Sequence, residues 1–135
     1  EKLLEVIGVT GVRMKRHLTA TFFTLFFLGC GLGEQKVPDS IIDSISKGTV
    51  IIDVRSSQEF AEGHFPGAIN IPHDDILTGV KKIKLAKSEA LILYCRSGNR
   101  SRKAQEMLIN AGFTNTQNAG GLNTLLAARG LGTTQ

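Results

Sequence analysis

The 135-residue chain has no tryptophan, one tyrosine, three prolines and two cysteines. Two cysteines allow at most one disulfide, which excludes a small fold stapled by several bridges. An excess of one charge is also missing. The formal net charge is +4, and four of the basic residues, Lys2, Arg13, Lys15 and Arg16, lie ahead of the candidate folded part. From residue 30 onward, 12 Lys plus Arg face 10 Asp plus Glu, a net of +2. So mild a balance, without interleaved aromatics, excludes a nucleic-acid surface. The apolar run Leu18 to Leu28 falls short of the roughly 20 residues a membrane-spanning helix needs. What is present is 41% hydrophobic and 21% charged residues, the composition of one globular domain. There is no internal repeat and no sign of a second domain.

Residues 14–30, "MKRHLTATFFTLFFLGC", run from a basic trio through an apolar stretch to small residues, the layout of a secretory signal peptide. "FFLGC" is similar to a relaxed lipobox, which makes Cys30 a candidate for lipidation and then the chain's only route to a membrane. The plainer reading is cleavage near Gly29 or Gly31, which leaves Cys30 without a role. Either reading places the mature chain in the periplasm or another extracytoplasmic space. Residues 1–13 are read as an upstream extension with no function attached.

From residue 36 the chain alternates. "VPDSIIDSISKG" predicts a helix started by Pro38 and Asp39, with Ile41, Ile42 and Ile45 on one face and Gly48 at its end. "TVIIDVR" is the β-branched run of a strand covered on both faces. "SSQEFAEGH" predicts a short helix capped by Ser56 or Ser57 and closed by Gly63, and Ala68 to Ile71 a brief extended piece. The basic stretch 79–90 gives no assignment. "LILYC" is a second buried strand, and "SRKAQEMLINAGF" a helix with Ala104, Met107, Leu108 and Ala111 on one side. A last short strand, a double-glycine turn and a terminal helix follow, with 129–135 as a tail. Helices alternating with buried strands imply an α/β fold with a parallel sheet.

In such a sheet, ligands bind beyond the carboxyl ends of the strands, and Cys95 ends one. Arg96 to Ser101 are expected to form a loop, with the helix opening at about Ser101. Amides of that loop and the helix N-terminus add positive potential, the setting in which a thiol ionises and becomes a nucleophile. Arg100, Arg102 and Lys103 stand where the helix dipole is already positive, at a cost of about 0.3–1 kcal/mol each; an anion in the loop would reverse that sign. Gly98 lets the backbone turn, and Ser97, Asn99 and Ser101 can orient the loop or touch a ligand. A buried cysteine is ordinarily a small hydrophobe. Strand end, glycine loop, two arginines and helix start in register outweigh that reading in favour of a nucleophile, which requires an ionised sulfur open to solvent.

"CRSGNRS" resembles the active-site loop of single-domain rhodanese-like sulfurtransferases. Ile51 to Pro72, "IIDVRSSQEFAEGHFPGAINIP", and "NAGGLNTL" resemble the family's N-terminal and C-terminal signatures, and the likeness spans residues 36–128. The signal-like start with "NAGGL" is similar to the small periplasmic phage-shock type. The resemblance implies a five-stranded parallel sheet flanked by helices on both faces. It implies a persulfide on Cys95, cradled by the amides of Arg96, Ser97, Gly98, Asn99, Arg100 and Ser101. Arg96 and Arg100 would attract an anionic donor such as thiosulfate, and a thiol or cyanide would be the acceptor. No cofactor or metal is called for, and a monomer is expected. Where many relatives carry tryptophan after the double glycine, this chain has Leu122, a departure that touches the substrate rim.

Asp53, Arg55, Glu59 and His64 invite a catalytic triad with Cys95. Asp53 and Arg55 read better as an ion pair anchoring a strand end, and His64 as a structural hydrogen-bonder. Two rivals to the sulfurtransferase reading are a persulfide carrier or binding module with little turnover, and a phosphatase or arsenate reductase of related fold. Those phosphatase loops place five residues between cysteine and arginine; four separate Cys95 from Arg100, which suits a sulfur atom better than phosphate.

Overall fold

The computed structural model describes residues 36–132. The signal-like segment 14–30, Cys30, the extension 1–13 and the last three residues of the tail lie outside the described residues.

Pro38 fixes the backbone at the start of α1, Asp39–Ser46, and the chain leaves it through Gly48 at φ +82°. β1 is Val50–Asp53. α2, Ser57–Glu62, opens on a capping box in which the Ser56 hydroxyl accepts from the Glu59 amide and the Glu59 carboxylate accepts from the Ser56 amide. β2 is the short Ile69–Asn70. A 3-10 turn at His73–Asp75 leads into α3, Ile76–Lys82. β3, Leu91–Cys95, is buried at every position. α4 is Asn99–Asn110, β4 Thr116–Gly121 and α5 Leu122–Ala128.

All pairings are parallel and the order is β2-β1-β3-β4. The described residues therefore hold four strands, where the resemblance implied five. The physical reason is visible in the chain itself: residues 36–132 contain only four extended runs, and residues 36–38 enter α1 directly. The unassigned stretch 79–90 is α3 and its exit. Gly79 disguises that helix. A Cβ there would collide with the Ile71 side chain, so glycine serves close packing against β2 and not a turn.

Because β1 and β3 are central, their successive side chains feed two cores. Ile52, Val54, Leu91, Leu93 and Cys95 pack with Ile76 and Val80 of α3 and Ala104 and Leu108 of α4. Ile51, Ile92 and Tyr94 pack with Ile41 of α1 and Leu122, Leu125 and Leu126 of α5. Helices thus cover both faces, and the carboxyl ends of all four strands share one rim.

Candidate active site

Cys95 closes β3 at that rim. Leu93 pairs with Asn118 but Cys95 with Gly121, so β4 carries one residue more than β3 over this step, a bulge of the kind that re-aims side chains beside a site. The connection to α4 is shorter than the sequence suggested: the helix begins at Asn99, not near Ser101, and only Arg96 to Gly98 are loop. Ser101, expected at the helix start, lies fully buried within the first turn with its hydroxyl turned inward.

Two glycine demands shape the loop. Gly98 sits at φ +92°, and a Cβ on it would lie 3.2 Å from the Gly120 Cα. Gly121 has ordinary φ, but its Cβ would lie 2.7 Å from the Arg96 carbonyl oxygen. The double glycine is therefore a seat for the Cys95 loop. No separate turn exists there, and Gly121 itself caps α5.

The Cys95 sulfur accepts from the Gly98 amide at 3.0 Å and from the Ser101 hydroxyl at 3.5 Å. Burial alone would push the thiol up. The Ser101 hydroxyl and the amides of Ser101, Ser97 and Gly98 outweigh it and hold the pKa below its ordinary value. The residue is only 1% exposed, which corrects the expectation of an open thiol: the donors that ionise the sulfur also roof it. Arg96, Ser97 and Asn99 are exposed around it. A cavity of about 320 Å³ beside the loop is lined by Arg55, Glu59, Glu62, Arg96, Leu122 and Asn123, among others.

Arg100 is tied to the protein. Its guanidinium donates to both Glu59 carboxylate oxygens, at 2.6 and 2.7 Å, and Arg102 pairs with Glu106 at 2.7 Å. Two of the three cations at the start of α4 thus meet protein carboxylates, so an anion in the loop is not the sole compensation for them.

Asp53 is fully buried and receives the Arg55 amide and guanidinium, the closest contact being 2.6 Å. Arg55 also donates to the Gly63 carbonyl at 2.6 Å, closing α2, and its guanidinium lies 5.9 Å from the Tyr94 ring centre. Tyr94 accepts the Phe65 amide through its hydroxyl, and burial raises its pKa. His64 is exposed, bonds the Phe60 carbonyl at 2.9 Å and stacks on the Phe60 ring.

Sequence reasoning missed Asn118 as a contributor. Its carboxamide accepts the Gly120 amide at 2.9 Å and donates to the Gly98 carbonyl at 3.2 Å, and its oxygen, 2.8 Å from the Ser101 hydroxyl, competes with the Cys95 sulfur and the Gly98 carbonyl for that group's single proton. The available signal was one polar residue ahead of the double glycine. Among the described residues, no group of three or more His, Cys, Asp or Glu side chains could share a metal ion.

The Arg100 bonds, with those of Ser56, hold the Glu59 carboxyl at about 2 despite opposing desolvation. A carboxylate depressed in the fold contributes stability above its unfolded value, near 4.5, and loses it as pH falls toward about 2. The urea midpoint should therefore drop between those pH values, and Glu59→Gln should lack that component of the drop. Equal acid profiles would show that the pair contributes nothing to acid stability.

A family model described as Rhodanese-like domain matches residues 37–127. Thiosulfate sulfurtransferase PspE of Escherichia coli (strain K12) is 35% identical over 74 residues, covering 55% of this chain and 71% of that protein. Thiosulfate sulfurtransferase 16, chloroplastic, of Arabidopsis thaliana is 34% identical over 116 residues, covering 74% of this chain and 96% of that one. Among solved structures, the human single-domain sulfurtransferase TSTD1 superposes with a TM-score of 0.60 at 25% identity, covering 66% of this chain and 91% of that one.

Proposed function

The chain belongs to the rhodanese-like family of sulfurtransferases, and from that premise we propose that it is a thiosulfate sulfurtransferase working through a persulfide on Cys95. One observation carries the reading: a thiol at the end of the central strand, held by the Gly98 amide and the Ser101 hydroxyl, with its pKa lowered despite burial. In the first step the Cys95 thiolate attacks the outer sulfur of thiosulfate. The S–S bond breaks and sulfite departs with the bonding pair. In the second step a thiolate or cyanide attacks the outer sulfur of the persulfide, and Cys95 leaves as thiolate. The product is an acceptor persulfide or thiocyanate. The loop amides suit the terminal sulfur of the intermediate, and Arg96, at the edge of the 320 Å³ cavity, suits the donor's sulfonate. The signal-like sequence of residues 14–30 supports a further part of the proposal, that the domain works outside the cytoplasm.

Intact-mass measurement after thiosulfate treatment tests this directly, because a roofed thiol must still admit the donor. The expected result is a gain of one sulfur on Cys95. Steady-state transfer to cyanide or a thiol should then give parallel-line kinetics. A stable persulfide without turnover would mark a carrier, and phosphate release without sulfur transfer would overturn the assignment.

A further inference from the structure

Three guanidinium groups stand near the Cys95 loop, and their commitments differ. Arg55 is spent on Asp53 and the Gly63 carbonyl. Arg100 is spent on Glu59. Arg96 has no carboxylate partner among the described residues and borders the cavity. Glu59 is correspondingly saturated. Besides both Arg100 nitrogens it accepts the Ser56 amide and the Ser56 hydroxyl, each at 3.1 Å. One carboxylate thus caps α2 and grips the first turn of α4.

Taking Cys95 as the sulfur-carrying residue of the reading above, we propose that Glu59 is a positioning residue for the sulfur chemistry. By holding Arg100 in a two-point ion pair it keeps most of that charge on itself and leaves the Cys95 sulfur as the weaker partner. Donor recognition is left to Arg96, and the Cys95 sulfur stays strongly nucleophilic. The argument is one of competition. Arg100 faces two anions, Glu59 and, more weakly, the Cys95 sulfur. A charge-assisted two-point pair is the stronger claim on a guanidinium. Remove the carboxylate and the guanidinium turns to the remaining anion. The thiolate then becomes easier to form but a poorer attacker, since nucleophilicity falls with thiol pKa. The other charged groups around the loop, Arg55, Glu62 and Arg96 in that cavity and Lys36 and Arg102 beside Ser97, Gly98 and Asn99, are unchanged by the substitution.

The test titrates Cys95 by its thiolate absorbance in the full chain and in Glu59→Gln, Ser56→Ala, Arg100→Ala and the Glu59→Gln/Arg100→Ala double variant. Glutamine keeps an acceptor for the Ser56 amide, so the α2 cap survives. Glu59→Gln should lower the thiol's apparent pKa by about half a unit or more. Both KM for thiosulfate and kcat should fall. Ser56→Ala, which loses the cap but not the ion pair, should leave the titration unchanged. In the double variant the Glu59→Gln shift should vanish, for no guanidinium remains to be released. An unshifted or raised pKa in Glu59→Gln would overturn the proposal, as would the same shift in Ser56→Ala. A wild-type chain that takes no sulfur from thiosulfate would overturn the function instead, and the order of the titrations would still decide the role of Glu59.

Discussion

Cys95→Ser should lose sulfur transfer by at least about 10⁴-fold, the scale on which enzymes lose activity when their nucleophile is removed. Serine fits the space, and its oxygen can take the bonds that the sulfur receives from Gly98 and Ser101. The fold should therefore stand, which circular dichroism can check. Those donors bring a thiol below its ordinary pKa, but an alcohol starts several units higher and stays protonated. The only other cysteine is Cys30, which lies in the signal-like segment, so no second thiol stands ready to substitute. Thiocyanate formation is the measurement. Activity within tenfold of wild type would mean that the sulfur is carried elsewhere.

Gly121→Ala should have the next largest effect, by a wholly different route. Its backbone, φ −93° and ψ 147°, is open to any residue, so strain is not the issue. The added methyl would stand 2.7 Å from the Arg96 carbonyl oxygen, a backbone atom that can yield only if the Cys95 loop or the end of β4 moves. Displacing a catalytic group by about 1 Å commonly costs about 10²-fold, and overpacking a close contact costs about 1–3 kcal/mol. We expect kcat/KM down by about 10²-fold with a melting temperature several degrees lower. Gly132→Ala is the control, since a Cβ there meets nothing within 4 Å. If Gly121→Ala matched that control in kcat/KM, the double glycine would not be the seat of the loop.

Reading the chain without coordinates succeeds where one physical demand acts on neighbouring residues. The β-branched run at Val50–Asp53 and the apolar run at Leu91–Cys95 are strands because both faces of each are covered. Ser56 and Glu59 announce the start of α2 because a capping box is a local device. The reading fails where two demands meet from distant parts of the chain. The stretch from residue 79 gives no assignment, and Gly79 is a helix residue facing Ile71. Gly120 and Gly121 look like a turn and are the bed of the loop. Ser101 reads as the helix start, while it lies inside the first turn with its hydroxyl among Cys95, Gly98 and Asn118. The position of Cys95 and its amide donors were legible, as was the Asp53 and Arg55 pair. Its burial was not, because it is set by packing among elements far apart in the chain. The Arg100 pairing was equally hidden, since 41 residues separate it from Glu59.

The concealment of Cys95 has a consequence for two molecules meeting in solution. A disulfide between copies requires two sulfurs within about 2.05 Å on opposed Cβ vectors. Cys95, a residue only 1% exposed beside its own helix start, cannot be brought that close to its twin unless both loops move. Self-pairing is therefore hindered at this residue, and reagents small enough to enter singly are favoured.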